Sequence, residues 1–368
     1  MKGMKASTAI GRGLQSVLHF AVSPLSIILR RLRTARASYG MRLKRRRLLV
    51  RAVRARRSVI CALDRTQDLP ASAILAFVTV RNEMERLPFF LDHYRKLGVD
   101  HFLFVVNDSS DGTFEFLKDQ LDTSIWTTTA SYKASRFGLD WINGLLMKYG
   151  HGHWCLTLDA DELLVYPHHE TRPLQALTQW MDSQRLPALP AMMLDMYPKG
   201  AVGQTSQDTS ENPIDALPWF DHGNYCLQIQ QPMQNLWIQG GPRARAFFDQ
   251  DPRRAPTLNK IPLVRWHWRY AYVNSTHSAL PAKLNQVYRQ DGGEHISGIL
   301  LHTKFLETIV QKSVEEQQRK QHFNKSEMYD DYYAALVESP ELWNEQSTKY
   351  NGWRQLEELG LMSSGGWP

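Results

Sequence analysis

The sequence is poor in cysteine, in long apolar runs and, over its first sixty residues, in negative charge. Three cysteines (Cys61, Cys155 and Cys226) occur in 368 residues, and no two have C-x-x-C spacing. Such thrift gives no support to a disulfide scaffold and suits a reducing compartment or buried thiols. The most apolar stretch, residues 16–29, is shorter than the roughly 20 residues a spanning helix needs, and it contains His19 and Pro24. It does not read as a secretion signal, because Arg30-Arg31 and a basic tract follow where a small-residue cleavage site would lie. Without such a signal, the Asn274-Ser275-Thr276 glycosylation pattern carries no weight. No internal repeat or low-complexity tract stands out.

The missing acids divide the chain. Residues 1–60 hold 16 Lys+Arg and no Asp or Glu, whereas the rest holds 28 basic and 37 acidic groups and all 11 tryptophans. A basic arm thus precedes an acidic, aromatic-rich body, with residues 61–73 as linker. Ile10, Leu14, Val17, Leu18 and Ala21 share one helical face of the arm. The Arg-rich tract that follows would be drawn to anionic headgroups at about 1 kcal/mol per charge. The plainer alternative is a solvated basic tail. Nucleic acid is not an expected partner, since no aromatic residue for base stacking interleaves the charges of residues 42–57.

In the body, short apolar runs alternate with segments of helical spacing. Residues 74–80 (ILAFVTV), 101–106 (HFLFVV), 124–129 and 153–158 (HWCLTL) read as strands. Residues 85–97, 112–121 and 136–149 read as helices, the first stopped by Gly98 and the last by Gly150. This rhythm predicts βαβ units and a mostly parallel sheet flanked by helices, a Rossmann-like α/β fold that binds ligand beyond the carboxyl ends of its strands. Beyond Pro167 one helix precedes a strand at 191–196. Residues 199–250 predict long loops, strands return at 261–268 and 271–273, and helices are expected at about 300–323, 327–338 and 341–362.

Three successive strand ends carry polar groups: Arg81-Asn82-Glu83, Asn107 to Thr113, and Asp159-Ala160-Asp161. In a parallel sheet they share one rim. Asp159 and Asp161, two residues apart at a strand end, can face one hard cation, Mg²⁺ or Mn²⁺, that leaves positions open for diphosphate oxygens. Each tract alone could be an ordinary helix cap or turn. Three on one rim describe a polar nucleotide cleft.

The segments VTVRNE, VVNDSSDGT and WCLTLDADE, in that order, resemble the family-2 type of inverting glycosyltransferase with the GT-A fold, in a bacterial branch whose first helix reads PFFLDHYRKLGVDHFLFVVNDSSDGT. The likeness covers about residues 74–166, and GGPRARAFF, IPLVRWHW and GILLHTKFL are similar to the same branch. It implies a nucleotide-sugar-binding half at 74–166, an acceptor-side half at 167–310 and a C-terminal helical extension at 311–368. It further implies a nucleoside-diphosphate sugar donor, a Mn²⁺ or Mg²⁺ ion, and transfer with inversion to a polysaccharide or lipid-linked acceptor. Glu83, Asn107 and Asp108 would contact base and ribose, Arg81 would also bind the donor, and Asp159 and Asp161 would serve ribose and metal. Asn107 stands where many relatives have a second acid, which opens the choice of base, since an amide both donates and accepts. His302 is the third metal ligand the resemblance suggests, against a plain reading as a buried histidine at a helix start. Lys304 would reach the diphosphate. His267 between two tryptophans is the rival histidine.

Inversion in one displacement needs a general base beside the acceptor hydroxyl. Asp195, which follows a strand and precedes Tyr197-Pro198, is the first candidate, with Asp221 and Asp249 as alternatives. Gly240-Gly241-Pro242-Arg243 is a candidate acceptor loop in which Arg243 and Arg245 would meet phosphate or an acidic sugar. Two other functions compete. A sugar nucleotidyltransferase would show a Gly-rich loop after its first strand, where this chain reads Arg81-Asn82-Glu83-Met84. A non-catalytic membrane or nucleic-acid adaptor would use only the basic arm. The expected location is the cytoplasm, with peripheral attachment to the inner face of the plasma membrane.

Overall fold

Strand β2 (Ile74–Val80) shows how the sequence becomes a core. Its alternate residues Ile74, Ala76, Val78 and Val80 enter one apolar cluster, while Leu75 and Phe77 enter a second on the other side of the sheet. Strand β3 (His101–Asn107) divides the same way, Phe102 and Phe104 against Leu103 and Val105. A strand with apolar side chains on both faces must be covered twice. Helix α2 (Leu87–Leu97) covers the first face with Leu87, Phe90, Leu91, Tyr94 and Leu97. After a short helix α3 (Thr113–Lys118), helix α4 (Leu139–Tyr149) covers the second with Leu139, Trp141, Ile142, Leu145 and Leu146. Gly98 ends α2 at φ 94°, a left-handed cap whose missing Cβ leaves room for Gln175.

These elements come from a computed structural model that describes residues 24–204, 212–289, 291–307, 309, 332 and 334–368. The other sheet strands are β1 (Ile60–Leu63), β4 (Thr123–Thr128), β5 (Trp154–Leu158), β6 (Glu162–Val165), β7 (Ala188–Asp195), β8 (Asn259–Arg265) and β9 (Gly298–His302). Their order is β1-β4-β3-β2-β5-β8-β7-β9-β6. The run β4-β3-β2-β5 is parallel, whereas β8 runs against both β5 and β7. The protein is therefore a mixed α/β fold with a central sheet parallel through one half and flanked by helices. From β2 the chain winds outward through β3 and β4, then returns to add β5 on the other side of β2. The strand order thus reverses between β2 and β5, the place where open α/β sheets leave a crevice at their carboxyl ends.

Several expectations give way to tertiary packing. The linker at 61–73 contains most of β1, which pairs antiparallel with β4. Helix α4 begins only after Gly138, because Arg136 and Phe137 take positive φ. Residues 199–250 are more regular than loops: Cys226–Gln230 and Asn235–Gln239 form an antiparallel hairpin, followed by a helix at Gly241–Phe247. Residues 298–302 are strand β9, parallel to β7, rather than the start of a helix. Of the tail, only Trp353–Glu358 is helical in the segment 341–362. Its apolar residues are anchors rather than a stripe, since Leu342, Trp353, Leu356, Met362 and Trp367 all enter the main core. Of the helix expected at 327–338, residues 334–337 are described and are helical, whereas most of that expected at 300–323 lies outside the described residues.

The chain divides into two units, residues 1–40 and 41–368. The expected boundary at residue 60 moves because the second half of helix α1 (Pro24–Ala55) belongs to the larger unit. Leu48 and Ala52 are buried there, and Arg51 pairs with Asp140 at 2.7 Å. The face formed by Ile10, Leu14, Val17, Leu18 and Ala21 lies outside the described residues. Among the described residues no helix is long and apolar enough to cross a membrane.

Candidate active site

The loops after β2 and β3 are stitched together at the crevice. Asn82 and Asp108 adopt φ 49° and 53°, a left-handed conformation that short polar side chains tolerate. Asn82 Oδ1 accepts from the Ser110 amide at 2.9 Å, and the Asn82 amide donates to Ser109 Oγ at 3.1 Å. The amides of Glu83 and Met84 donate to Thr113 Oγ1 and Asp111 Oδ2. Most of the NDSSDGT tract therefore braces one loop against the other. Asn107 Nδ2 donates to the carbonyls of Thr128 and Ala130 at 3.0 and 3.2 Å. Both amide protons are spent on backbone, so toward a ligand Asn107 offers only its carbonyl oxygen, and the expected donor-and-acceptor behaviour is halved.

A cleft of about 430 Å³ opens over this rim. Its walls bring together Arg81, Glu83, Asn107, Asp159, Asp161, His302 and Lys304, residues spread over more than 220 positions of sequence and singled out by it. Asp108 is not among the described lining residues; its side chain is 60% exposed and pairs with Arg81 at 3.3 Å. His267 is also absent from that lining and packs edge-on against His151.

Two chains of charge meet in the cleft. In one, Lys260 Nζ lies 2.9 Å from both Asp159 Oδ2 and Glu162 Oε1, with the lysine and glutamate side chains 4% and 1% exposed. In the other, Asp161 Oδ2 lies 3.2 Å from His302 Nε2, His302 Nδ1 lies 2.6 Å from Asp195 Oδ1, and Arg243 Nε donates to Asp195 Oδ2 at 2.7 Å. The register of β9 on β7 sets His302 beside Asp195. The amide and hydroxyl of Thr303 both donate to the Asp161 carbonyl, fixing the backbone beneath its carboxylate.

These contacts set the protonation states. Burial opposes ionisation of Asp161, yet His302, Arg86 and Lys304 hold its carboxyl well below the usual range. Asp195 is likewise buried, but Arg243 and His302 bring it to about 2. His302 is raised, the two flanking carboxylates outweighing burial. Burial pushes Glu162 up to about 7 against the pull of Lys260, with Asp159 and Asp161 adding to the rise. Lys260 is held well above its ordinary value by Asp159 and Glu162 despite burial.

The same geometry corrects the choice of base. Asp195 has one oxygen on His302, the other on Arg243, and is 1% exposed, so it holds a histidine rather than waiting for an acceptor proton. Asp221 accepts from Tyr197 Oη at 2.5 Å and is paired with Arg245 at 2.8 Å, outside the described cleft lining. Asp249 is exposed and also outside it. Arg245 is thereby removed from the proposed acceptor loop, whereas Arg243 does line the cleft. Sequence reasoning missed Lys260, Arg86, Glu162, Tyr132 and His277, which also line it. Only Glu162 carried a local signal, as the last letter of the DADE tract.

Among the described residues no three His, Cys, Asp or Glu side chains converge as a ready-made metal cage. Asp161 would supply an oxygen and His302 a nitrogen, once Nε2 gives up the proton it directs at Asp161, while Asp159 is committed to Lys260. That donor set fits a hard cation that takes its remaining ligands from phosphate and water, as Mg²⁺ and Mn²⁺ commonly do.

No family model and no curated protein matches this chain. Among solved structures, HddC from Yersinia pseudotuberculosis aligns with a TM-score of 0.25 and 9% identity, over 60% of this chain and 82% of that one. A likeness of that degree carries no argument about fold or function.

Proposed function

We propose that the cleft binds a nucleoside-diphosphate sugar and that the protein is a glycosyltransferase of GT-A type, moving the sugar with inversion to a glycan or lipid-linked acceptor. The observation that carries this reading is the Asp161–His302 pair where β6 and β9 meet at the cleft, with Lys304 and Arg81 on the same lining. Asp161 and His302 would hold a Mn²⁺ or Mg²⁺ ion, which when bound supplies charge neutralisation to a departing nucleoside diphosphate. The residues of the chain prepare the same outcome themselves. Arg81, Arg86 and Lys304 stand on the cleft walls, where they would meet a diphosphate, whereas Lys260 and Arg243 are paired with Asp159 and Asp195. The Asn107 side-chain oxygen and the Glu83 carboxylate, both on the cleft lining, would accept from a nucleoside's N–H and O–H groups.

A thermal-shift and calorimetric screen of nucleoside diphosphates and nucleotide sugars, with and without Mn²⁺, tests the reading. The expected result is a metal-dependent stabilisation by one donor class that disappears in Asp161→Ala and in His302→Ala. Stabilisation that needs Mn²⁺ yet persists in both variants would remove the metal from this pair. A cleft that binds no nucleotide sugar under either condition would end the glycosyltransferase reading.

A further inference from the structure

The second half of α1 has two faces of opposite character, and the body uses only one. At 100° per residue, Met41, Arg45, Leu48, Ala52 and Ala55 fall on one side. All are buried or half-buried, and Leu48 clusters with Ala271 and Leu280. Arg51 ties this helix to Asp140, and Arg56 just beyond its end donates to the Gly144 carbonyl. A side chain at Gly144 would come within 3.1 Å of the Ala52 carbonyl, so close approach to α4 is built in. The opposite side carries Leu43, Arg46, Arg47, Val50, Val53 and Arg54, every one exposed. Its three aliphatic side chains stand 38%, 49% and 45% open to solvent, between cations that pair with no carboxylate among the described residues.

We infer that this outer face, residues 43–54, docks the protein on an anionic lipid surface. Aliphatic side chains interleaved with arginines over about 16 Å of helix match a headgroup layer, where the guanidinium groups meet phosphate and the short apolar side chains enter the acyl boundary. A nucleic acid matches it less well, because the face offers no aromatic ring for base stacking and leaves three aliphatic groups without a partner. The acid that this helix contacts, Asp140, is buried and already paired with Arg51 and Arg136, so it leaves the outer arginines uncompensated and open to an anionic surface. The helix rests on Ala271 and Leu280, in the two strands of a hairpin whose connecting residues Ser275 and His277 line the cleft. The docking face and the cleft are thus joined through one short element. The inference needs no donor chemistry and stands apart from the proposed reaction.

Vesicle flotation of the full chain tests it, using phosphatidylcholine alone and phosphatidylcholine with 30% phosphatidylglycerol, at 0.1 M and 0.5 M NaCl. The expected result is binding to the anionic vesicles only, weakened by salt and lowered about tenfold in the Arg46→Gln/Arg47→Gln/Arg54→Gln variant. Val50→Ser/Val53→Ser, which keeps every charge, should lower it severalfold. An unchanged thermal midpoint in either variant shows that the fold is intact, and either variant suffices if the other fails to fold. Equal binding to neutral vesicles, or full binding in both folded variants, would overturn the assignment. So would capture of a 20-base-pair DNA duplex or an RNA of similar length by protein that ignores anionic vesicles.

Discussion

Lys260 sits in the floor of the cleft between two carboxylates, and its replacement exposes what the pair costs. Lys260→Met leaves Glu162 buried without its cation, a loss on the order of 3–5 kcal/mol. Urea denaturation should show that loss at pH 8 and a smaller one at pH 5. Glu162, already raised to about 7, takes up a proton there and sheds the unpaired charge. Adding Glu162→Gln to Lys260→Met should restore most of the stability, and a double variant no more stable than the single one would disprove the pairing. Asp195 makes a different prediction. As the group that orients His302, it should alter ion binding rather than proton removal, so Asp195→Asn is expected to weaken a Mn²⁺ titration by about 10–100-fold. Electron paramagnetic resonance of free Mn²⁺ reads this without any assay of transfer. An unchanged titration would leave Asp195 with only a packing role.

At the scale of elements, α2 carries a pH dependence. His93 hydrogen-bonds the Leu164 carbonyl at 3.0 Å, and burial lowers its pKa to about 4. An unfolded histidine titrates near 6.5, so between about pH 6.5 and 4 the unfolded chain binds a proton that the folded one does not. Stability therefore falls as the pH drops through that window and levels off below it. His93→Gln should flatten this limb by on the order of 2 kcal/mol at pH 4, after discounting for the side chain's partial exposure. The elements around α2 are also where sequence was most legible. β2, β3, α2 and α4 follow from short apolar runs and helical spacing because their neighbours lie within a few tens of residues. β9 and the tail were misread because Leu300, Leu342 and Trp353 are apolar for a reason outside their own segments. They fill space in a core assembled from the whole body.

For the whole molecule, the two-unit division predicts unequal consequences of truncation. Removing residues 1–40 should leave the unfolding transition of 41–368 in place, with any nucleotide-dependent shift intact. Removing residues 353–368 takes Trp353, Leu356, Met362 and Trp367 from the main core. At about 1.5–3 kcal/mol for each buried side chain, that loss rivals the roughly 5–15 kcal/mol net stability of a folded protein. The shortened chain should be insoluble or lack a cooperative transition by calorimetry, and a normal transition would show the tail to be ornamental.

The missing acids, the alternating apolar runs and the polar strand ends were sufficient to predict a basic arm, a βαβ half and a rim holding Arg81, Glu83, Asn107, Asp159 and Asp161. Each rests on spacing within a segment, which the backbone geometry of helices and strands converts directly into direction. Tertiary structure alone decided that Lys260, 101 residues from Asp159, neutralises it, and that Asp195, 107 residues from His302, holds that histidine instead of serving as a base. Those pairings follow from which strands become neighbours, and strand order is fixed by burial of the whole core rather than by any local pattern. The arm shows the same division: its charge was plain from composition, but which helical face stays outward was settled only by Leu48 and Ala52 finding their place against the body.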